Sequence, residues 1–160
     1  MRLLELFHPD RLRVPLLAQE KDGVIRELIA SFPVSDVTKQ RLRAWVWARE
    51  RHHSTGIGGG IAVPHARGDI GTPLLCALGI SREGIDYQAL DGKPVHLIVL
   101  IAVRKEDIQP HIEALARISR HLRHPELCAA LRGAADAAAA LELLRAEETR
   151  DQDDERDSPA

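Results

Sequence analysis

The sequence predicts an α/β fold: a layered sandwich whose central mixed sheet of about four to five strands carries helices on both faces. Three observations lead there. Apolar residues follow helical spacing as far as about His52, where a glycine-rich stretch from Ser54 to Gly60 ends that period and strand-like segments follow. Val95 to Val103 is a nearly continuous apolar run, the pattern of a central strand buried on both faces. After Asp107 the helical spacing returns and persists to about Ala146.

Taken in order, residues 1–9 read as a short apolar turn packed on the domain, and Leu12 to Leu17 as a first strand. Val24, Ile25, Leu28 and Ile29 mark one face of a helix within 18–32, which Ser31-Phe32-Pro33 ends. Ser35 or Asp36 can cap a second helix running to about His52. Ser54 to Gly60 cannot be helical, because four of its seven residues are glycine. Ile61-Ala62-Val63, Pro73 to Ile80 and Val95 to Val103 read as strands, with a turn at Asp91-Gly92-Lys93-Pro94. Ile112, Leu115, Ile118 and Leu122 place a helix over about 110–123, and shorter helices are expected over 125–131 and 134–146. The expected domain therefore covers 1–146. Residues 147–160, with seven acidic and two basic side chains, are expected to be a disordered, solvated tail.

Composition narrows the function classes. A chain of 160 residues fits one domain, and its 44% apolar content supports a core that must be aliphatic, since only 3% is aromatic. The 22 basic and 24 acidic residues nearly cancel, and no basic stripe interleaved with aromatics suggests nucleic acid. Cys76 and Cys128 are too few for a disulfide framework and sit in apolar surroundings. The longest apolar run is too short to span a bilayer, so a soluble, cytoplasmic protein without direct membrane insertion is expected. His52, His53, His121 and His124 have no cysteine or carboxylate at ligand spacing, so they are read as surface histidines, and neither a metal nor a cofactor is expected.

The chemistry concentrates in Ser54-Thr55-Gly56-Ile57-Gly58-Gly59-Gly60-Ile61-Ala62-Val63-Pro64-His65. No Gly-Lys-Ser/Thr follows the glycines, and Ile61 occupies the place where a dinucleotide fingerprint needs its third glycine or alanine, so both nucleotide readings fail. Gly58, Gly59 and Gly60 can expose backbone N–H groups to an anion or a partner, with the Ser54 and Thr55 hydroxyls beside them, although these two could equally cap the turn. Pro64 restricts Val63 and itself, which fixes how His65 leaves the sheet, and Arg67-Gly68 read as a return to a turn. A neutral imidazole so placed is a competent nucleophile towards phosphorus. Arg49 and His111 are the groups that could fold back beside it; alone, each could be an ordinary helix residue.

The run Arg49-Glu50-Arg51-His52-His53-Ser54-Thr55-Gly56-Ile57-Gly58-Gly59-Gly60-Ile61-Ala62-Val63-Pro64-His65 resembles the signature of enzyme IIA domains of the fructose/mannitol class. These belong to the phosphoenolpyruvate-dependent sugar phosphotransferase system, and the class includes the nitrogen-regulatory IIA proteins. The likeness continues through Leu90-Asp91-Gly92-Lys93-Pro94-Val95 and the helix of His111, and covers roughly 1–145. One departure is Gly59, where nitrogen-regulatory members usually carry Asn. The resemblance implies that His65 accepts a phosphoryl group on Nε2 from the carrier protein HPr or a paralogue. It would pass the group to a cysteine or histidine of an enzyme IIB domain, with Arg49 and His111 beside it. The alternative use is regulatory: phosphorylation of His65 controls binding to a target protein. A histidine-based hydrolase is disfavoured, because no carboxylate partner lies near His65 in sequence.

Overall fold

A computed structural model describes residues 1–157. Two short elements, α1 (Leu3–Leu6) and a 3₁₀ turn (Pro9–Arg11), lead into β1 (Leu12–Arg13). They are followed by α2 (Lys21–Ala30), α3 (Asp36–Glu50), β2 (Gly56–Gly58), β3 (Ile61–Ala62), β4 (His65–Gly68) and β5 (Leu74–Ile85). The chain then forms β6 (Val95–Arg104), α4 (Ile108–His121), α5 (Pro125–Arg132) and α6 (Ala137–Asp157). The Ser35 hydroxyl accepts the Thr38 N–H at the start of α3, which makes Ser35 the cap.

The six strands form one mixed sheet in the order β1-β5-β6-β3-β2, with β4 also paired to β6. β3 and β4 both run parallel to β6, β3 opposite Leu97–Ile98 and β4 opposite Ile101–Arg104. They occupy one lane, interrupted at Val63-Pro64, so the sheet is five strands wide. Proline has no N–H to donate, but the lane holds because the Pro64 carbonyl still accepts the Ile101 N–H at 2.9 Å. Two strands were not expected from sequence. β2 is built from glycines and pairs antiparallel with β3, and β4 covers the residues read as a turn at Arg67-Gly68.

β6 explains why its sequence is apolar at nearly every position. Val99, Ile101 and Val103 pack under α1, α4, α5 and α6 with Leu3, Leu6, Ile118, Leu131 and Leu144. Ile98, Leu100 and Ala102 point the other way, against Val24, Ile25, Leu28, Leu42 and Val46 of α2 and α3. Each face is a separate aliphatic core, and the strand period of two divides β6 between them. On the α3 side β4 carries Ala66 and Gly68; a methyl group at Gly68 would overlap the Trp45 ring, so glycine is what lets α3 lie on β4.

One buried polar cluster joins α2, α3, the start of β2 and the β5–β6 connection. The Glu50 side chain is fully buried, and its carboxylate pairs with the Lys21 ammonium at 2.8 Å. It also accepts the Thr55 N–H at 3.1 Å, the Tyr87 hydroxyl at 3.1 Å and the Thr55 hydroxyl. Lys21 in turn donates to the Tyr87 carbonyl and lies 4.4 Å from the Tyr87 ring centroid. Burial and the Glu50 carboxylate push the Tyr87 phenol upward, so it stays protonated and can serve as a donor. This arrangement satisfies a charge that would otherwise be costly in a core.

The acidic C-terminus departs from expectation. Residues 147–157 continue α6 and do not form a disordered tail; 158–160 lie outside the described residues. Glu147 and Glu148 are buried, and Glu148 accepts the Leu4 N–H. Asp151 pairs with Arg117 at 3.1 Å and Arg120 at 2.7 Å. The acidic residues return at helical spacing, so a charge-rich segment finds a complementary face on α4. His121 also departs from the surface reading: it is buried against Glu147 and Asp151, at 3.8 and 3.7 Å.

Two variants check these assignments by urea denaturation. Glu50→Gln strands the buried Lys21 ammonium and is expected to cost about 3 kcal/mol or more; a loss below about 1 kcal/mol would mean that the pair is solvated. Gly68→Ala should also lower the midpoint, because α3 must lift from β4, and an unchanged midpoint would contradict that packing.

Candidate functional site

The site lies where the lane beside β6 is interrupted. His65 opens β4 opposite Ile101, and Ala66 is buried in the core under α2 and α3. Alternation along the strand therefore sends His65 and Arg67 to the opposite face, the one covered by α4. There the His65 and His111 rings meet with centroids 5.4 Å apart, tilted by 47°. Residues 46 apart in sequence converge because β6 runs past β4 and delivers the chain directly into α4, whose first turn holds His111.

The orientation of His65 follows from a hydrogen-bonded path. Thr55 N–H is held by Glu50, and the Thr55 carbonyl accepts the Val63 N–H at 3.0 Å. The Val63 carbonyl lies 3.0 Å from His65 Nδ1. A carbonyl only accepts, so Nδ1 carries the hydrogen and the lone pair of the neutral ring sits on Nε2. Here the backbone does what a carboxylate does in other histidine sites: it fixes tautomer and direction.

His111 is half-buried, and its Nε2 has no hydrogen-bond partner among the described residues. Burial chiefly, then the charges of His65 and Arg67, lower its pKa below the ordinary histidine value. It is therefore a neutral ring at neutral pH. A buried ring nitrogen without a partner, beside a nucleophilic one and in the first turn of a helix, is suited to an anionic oxygen.

The other residues expected at the site have contacts of their own. Arg49 stands in the last turn of α3, and its Nη1 donates to the His53 carbonyl at 2.9 Å. It braces the 51–55 segment that lies against Val63; among the described residues no hydrogen bond joins it to either histidine. Thr55 is buried with its hydroxyl given to Glu50, and Ser54 donates to the Tyr87 carbonyl at 3.0 Å, so both hydroxyls anchor the segment. Gly58, Gly59 and Gly60 form the β2–β3 turn, all at positive φ. Their turn is pinned at the other end of the lane, where the Gly60 carbonyl accepts the His96 and Leu97 N–H groups. The Gly59 N–H is already taken by Asp91 at 3.1 Å. Hydrogen bonds from Lys93 and Gly59 lower the Asp91 pKa, so a negative charge occupies the place expected to cradle an anion. Arg67, set aside as a turn residue, is instead on the His65 side of β4, and its Nη2 donates to the Lys105 carbonyl at 2.9 Å. The signal that could have found it is the i, i+2 spacing to His65.

Comparisons with known proteins bear on the family and the fold. The sequence profile of the phosphoenolpyruvate-dependent sugar phosphotransferase system EIIA 2 family matches residues 5–147. The PTS system fructose-specific EIIABC component of Bacillus subtilis is 35% identical over 79% of this chain, which spans only 20% of that protein. A nitrogen regulatory protein of Bradyrhizobium diazoefficiens is 29% identical over 90% of this chain and 95% of its own length. In fold, the chain is similar to the nitrogen regulatory protein IIA-Ntr of Neisseria meningitidis, with a TM-score of 0.78 at 23% identity, covering 89% of this chain and 98% of that one. With the profile matched over nearly the whole domain, this chain belongs to the EIIA 2 family of the phosphoenolpyruvate-dependent sugar phosphotransferase system.

Proposed function

We propose that the chain is a phosphocarrier, whose His65 accepts a phosphoryl group from the phosphohistidine of an HPr-type protein and hands it to an enzyme IIB. The observation that carries this reading is the Nδ1–Val63 hydrogen bond, which leaves Nε2 as the nucleophile. The Nε2 lone pair attacks phosphorus, the donor's N–P bond breaks, and its electron pair returns to the donor's nitrogen. The hydrogen stays on Nδ1 and is donated to the Val63 carbonyl, whose oxygen stabilises the positive charge that develops on the ring. In the second half, a cysteine or histidine of the IIB attacks the same phosphorus and neutral His65 is regenerated. His111, in the tautomer with its hydrogen on the unpartnered Nε2, donates to a phosphoryl oxygen in both halves. Neither step needs a metal or an organic cofactor, and the chemistry is protein-to-protein transfer in the cytoplasm.

Partner docking has a surface to use. Ile108 and Ile112 stand one turn apart at the start of α4, flanking His111, and remain 55% and 54% exposed. Apolar groups beside a nucleophile suit a protein partner that must shield the phosphoryl group from water. Among the described residues no helix is long and apolar enough to cross a membrane.

A regulatory use of the same site is favoured by one observation: a nitrogen regulatory protein is 29% identical over 90% of this chain. In that use phospho-His65 gates binding to a target protein, and no IIB is required.

Incubation with phosphoenolpyruvate, enzyme I and HPr should place a single acid-labile phosphoryl group on the chain, lost in His65→Ala; a chain that stays unphosphorylated sinks both uses. Discharge by a purified IIB marks the transport role, and failure to discharge marks the regulatory one. The state of His111 is a separate check by NMR titration. Its pKa is lowered in the fold, so the folded state binds fewer protons than the unfolded. Its contribution to stability is complete above the ordinary histidine value and is lost as pH falls below it. The His111 midpoint should lie below that ordinary value and rise in His65→Ala; a midpoint at or above it in the native protein would contradict the neutral ring.

A further inference from the structure

We propose that the outer edge of β4 is a docking strip for an extended, acidic segment of a partner protein, which joins the sheet as a further strand and is expelled when His65 is phosphorylated. The gating rests on the reading of His65 as phosphoryl acceptor, and it gives the regulatory use a surface and a partner chemistry.

β4 is paired on one side only. His65 to Gly68 lie opposite Ile101 to Arg104 of β6, and among the described residues no second strand pairs with them. The Pro64 and Gly68 carbonyls accept the Ile101 and Lys105 N–H groups, so the even-numbered residues of this stretch turn their backbone groups towards β6. Successive residues of a strand present these groups to opposite sides, which leaves the N–H and C=O of His65 and Arg67 facing outward. Among the described residues no hydrogen bond reaches those four groups. The lane beside β3 does not extend to cover them. The Thr55 carbonyl accepts the Val63 N–H, and the chain before Thr55 leads back to the end of α3. An edge with open donors and acceptors is a template for another strand.

The surroundings of the edge say what kind of segment fits. At the carboxyl end of β4 a cleft of about 440 Å³ is lined by Trp45, Arg67, Gly68, Asp69 and Lys105. The Trp45 ring lies over Gly68 there and offers an apolar wall to a side chain of the incoming strand. Arg41 and Arg49 stand one helical turn before and after Trp45 and continue its ridge along α3. Arg67 and Lys105 are exposed, and Asp69 is the one acidic residue of the cleft lining. Cations therefore outnumber carboxylates along the strip, which complements an acidic segment. The same charge disfavours a second copy of this chain, because pairing β4 with β4 would bring two Arg67 guanidiniums together. His65 belongs to the edge strand itself. A phosphoryl group on its ring adds negative charge beside the outward N–H groups and repels an acidic strand.

Amide hydrogen exchange on the full chain checks the open edge. The Ala66 and Gly68 amides should be protected and those of His65 and Arg67 should exchange fast; protection of the latter pair in the free chain would overturn the proposal. The probe is a synthetic peptide, acetyl-Glu-Val-Glu-Val-Glu-Val-amide, compared with a version carrying Lys for Glu and with a fully N-methylated version. At millimolar concentration the acidic peptide should slow exchange at the His65 and Arg67 amides, and both comparison peptides should bind roughly 10-fold or more weakly. Arg67→Glu should lower the affinity for the acidic peptide by a similar factor; the peptide comparisons on the native chain hold whether or not that variant folds. Absence of protection by the acidic peptide overturns the edge as a docking strip. Equal binding of the N-methylated peptide overturns strand addition, and equal binding of the Lys peptide overturns the acidic partner. Charging His65 with potassium phosphoramidate should release the acidic peptide, and unchanged binding to the charged chain overturns the gating. A chain that neither phosphoramidate nor phospho-HPr charges removes the acceptor role of His65 and the gating with it, while protection by the peptide still decides the docking strip.

Discussion

The fully buried Glu50 carboxylate is the constraint on which the rest of this structure depends. An isolated carboxylate in that position would be prohibitively desolvated, and it persists because a lysine, a hydroxyl, a phenol and a backbone N–H all converge on it. Those donors come from α2, the segment before β2 and the β5–β6 connection, so satisfying one charge fixes three pieces of chain. The consequence passes along the backbone. Thr55 is held by Glu50, Val63 is held by Thr55, and the ring of His65 is held by Val63. The His65 ring is aimed by a core ion pair that it never touches.

The sheet then divides the work between its faces. The α2/α3 face supplies support: the Glu50 cluster, the Trp45 ring over Gly68, and Arg49 bracing the 51–55 segment. The α4 face supplies chemistry, because alternation along β4 places His65 and Arg67 there and β6 leads straight into the helix of His111. The glycines, conspicuous in sequence, belong to neither task. Positive φ at all three turn positions is what lets β2 fold back on β3, with Asp91 locking the turn.

How much of this was legible in the sequence depended on how local each feature is. α2, α3 and α4 declared themselves through apolar spacing, α3 through its Ser35 cap, and β6 through a run that only a strand buried on both sides explains. β2 and β4 were hidden, since glycine, alanine and arginine are poor strand formers and only pairing with β3 and β6 makes strands of them. The last turns of α6 read as a solvated tail because the arginines that pair with Asp151 lie more than thirty residues earlier. At the site, His65 was evident from the Val-Pro-His ending and from family resemblance, which also pointed to His111. The Glu50–Tyr87 bond joins residues 37 apart, and no pattern in either segment announces it. Arg67 read as a turn residue for the same reason that β4 was hidden.

A ring held through Nδ1 by a rigid strand offers one nitrogen in one direction. In the proposed carrier role, donor and acceptor would therefore use the same line of approach to His65, one at a time. Such a carrier works by strict alternation: the first partner departs before the second can bind, no three-protein complex forms, and the steady-state kinetics are ping-pong. The Val63 carbonyl, by settling which nitrogen faces outward, thus decides the order of events among proteins as well as the position of an atom.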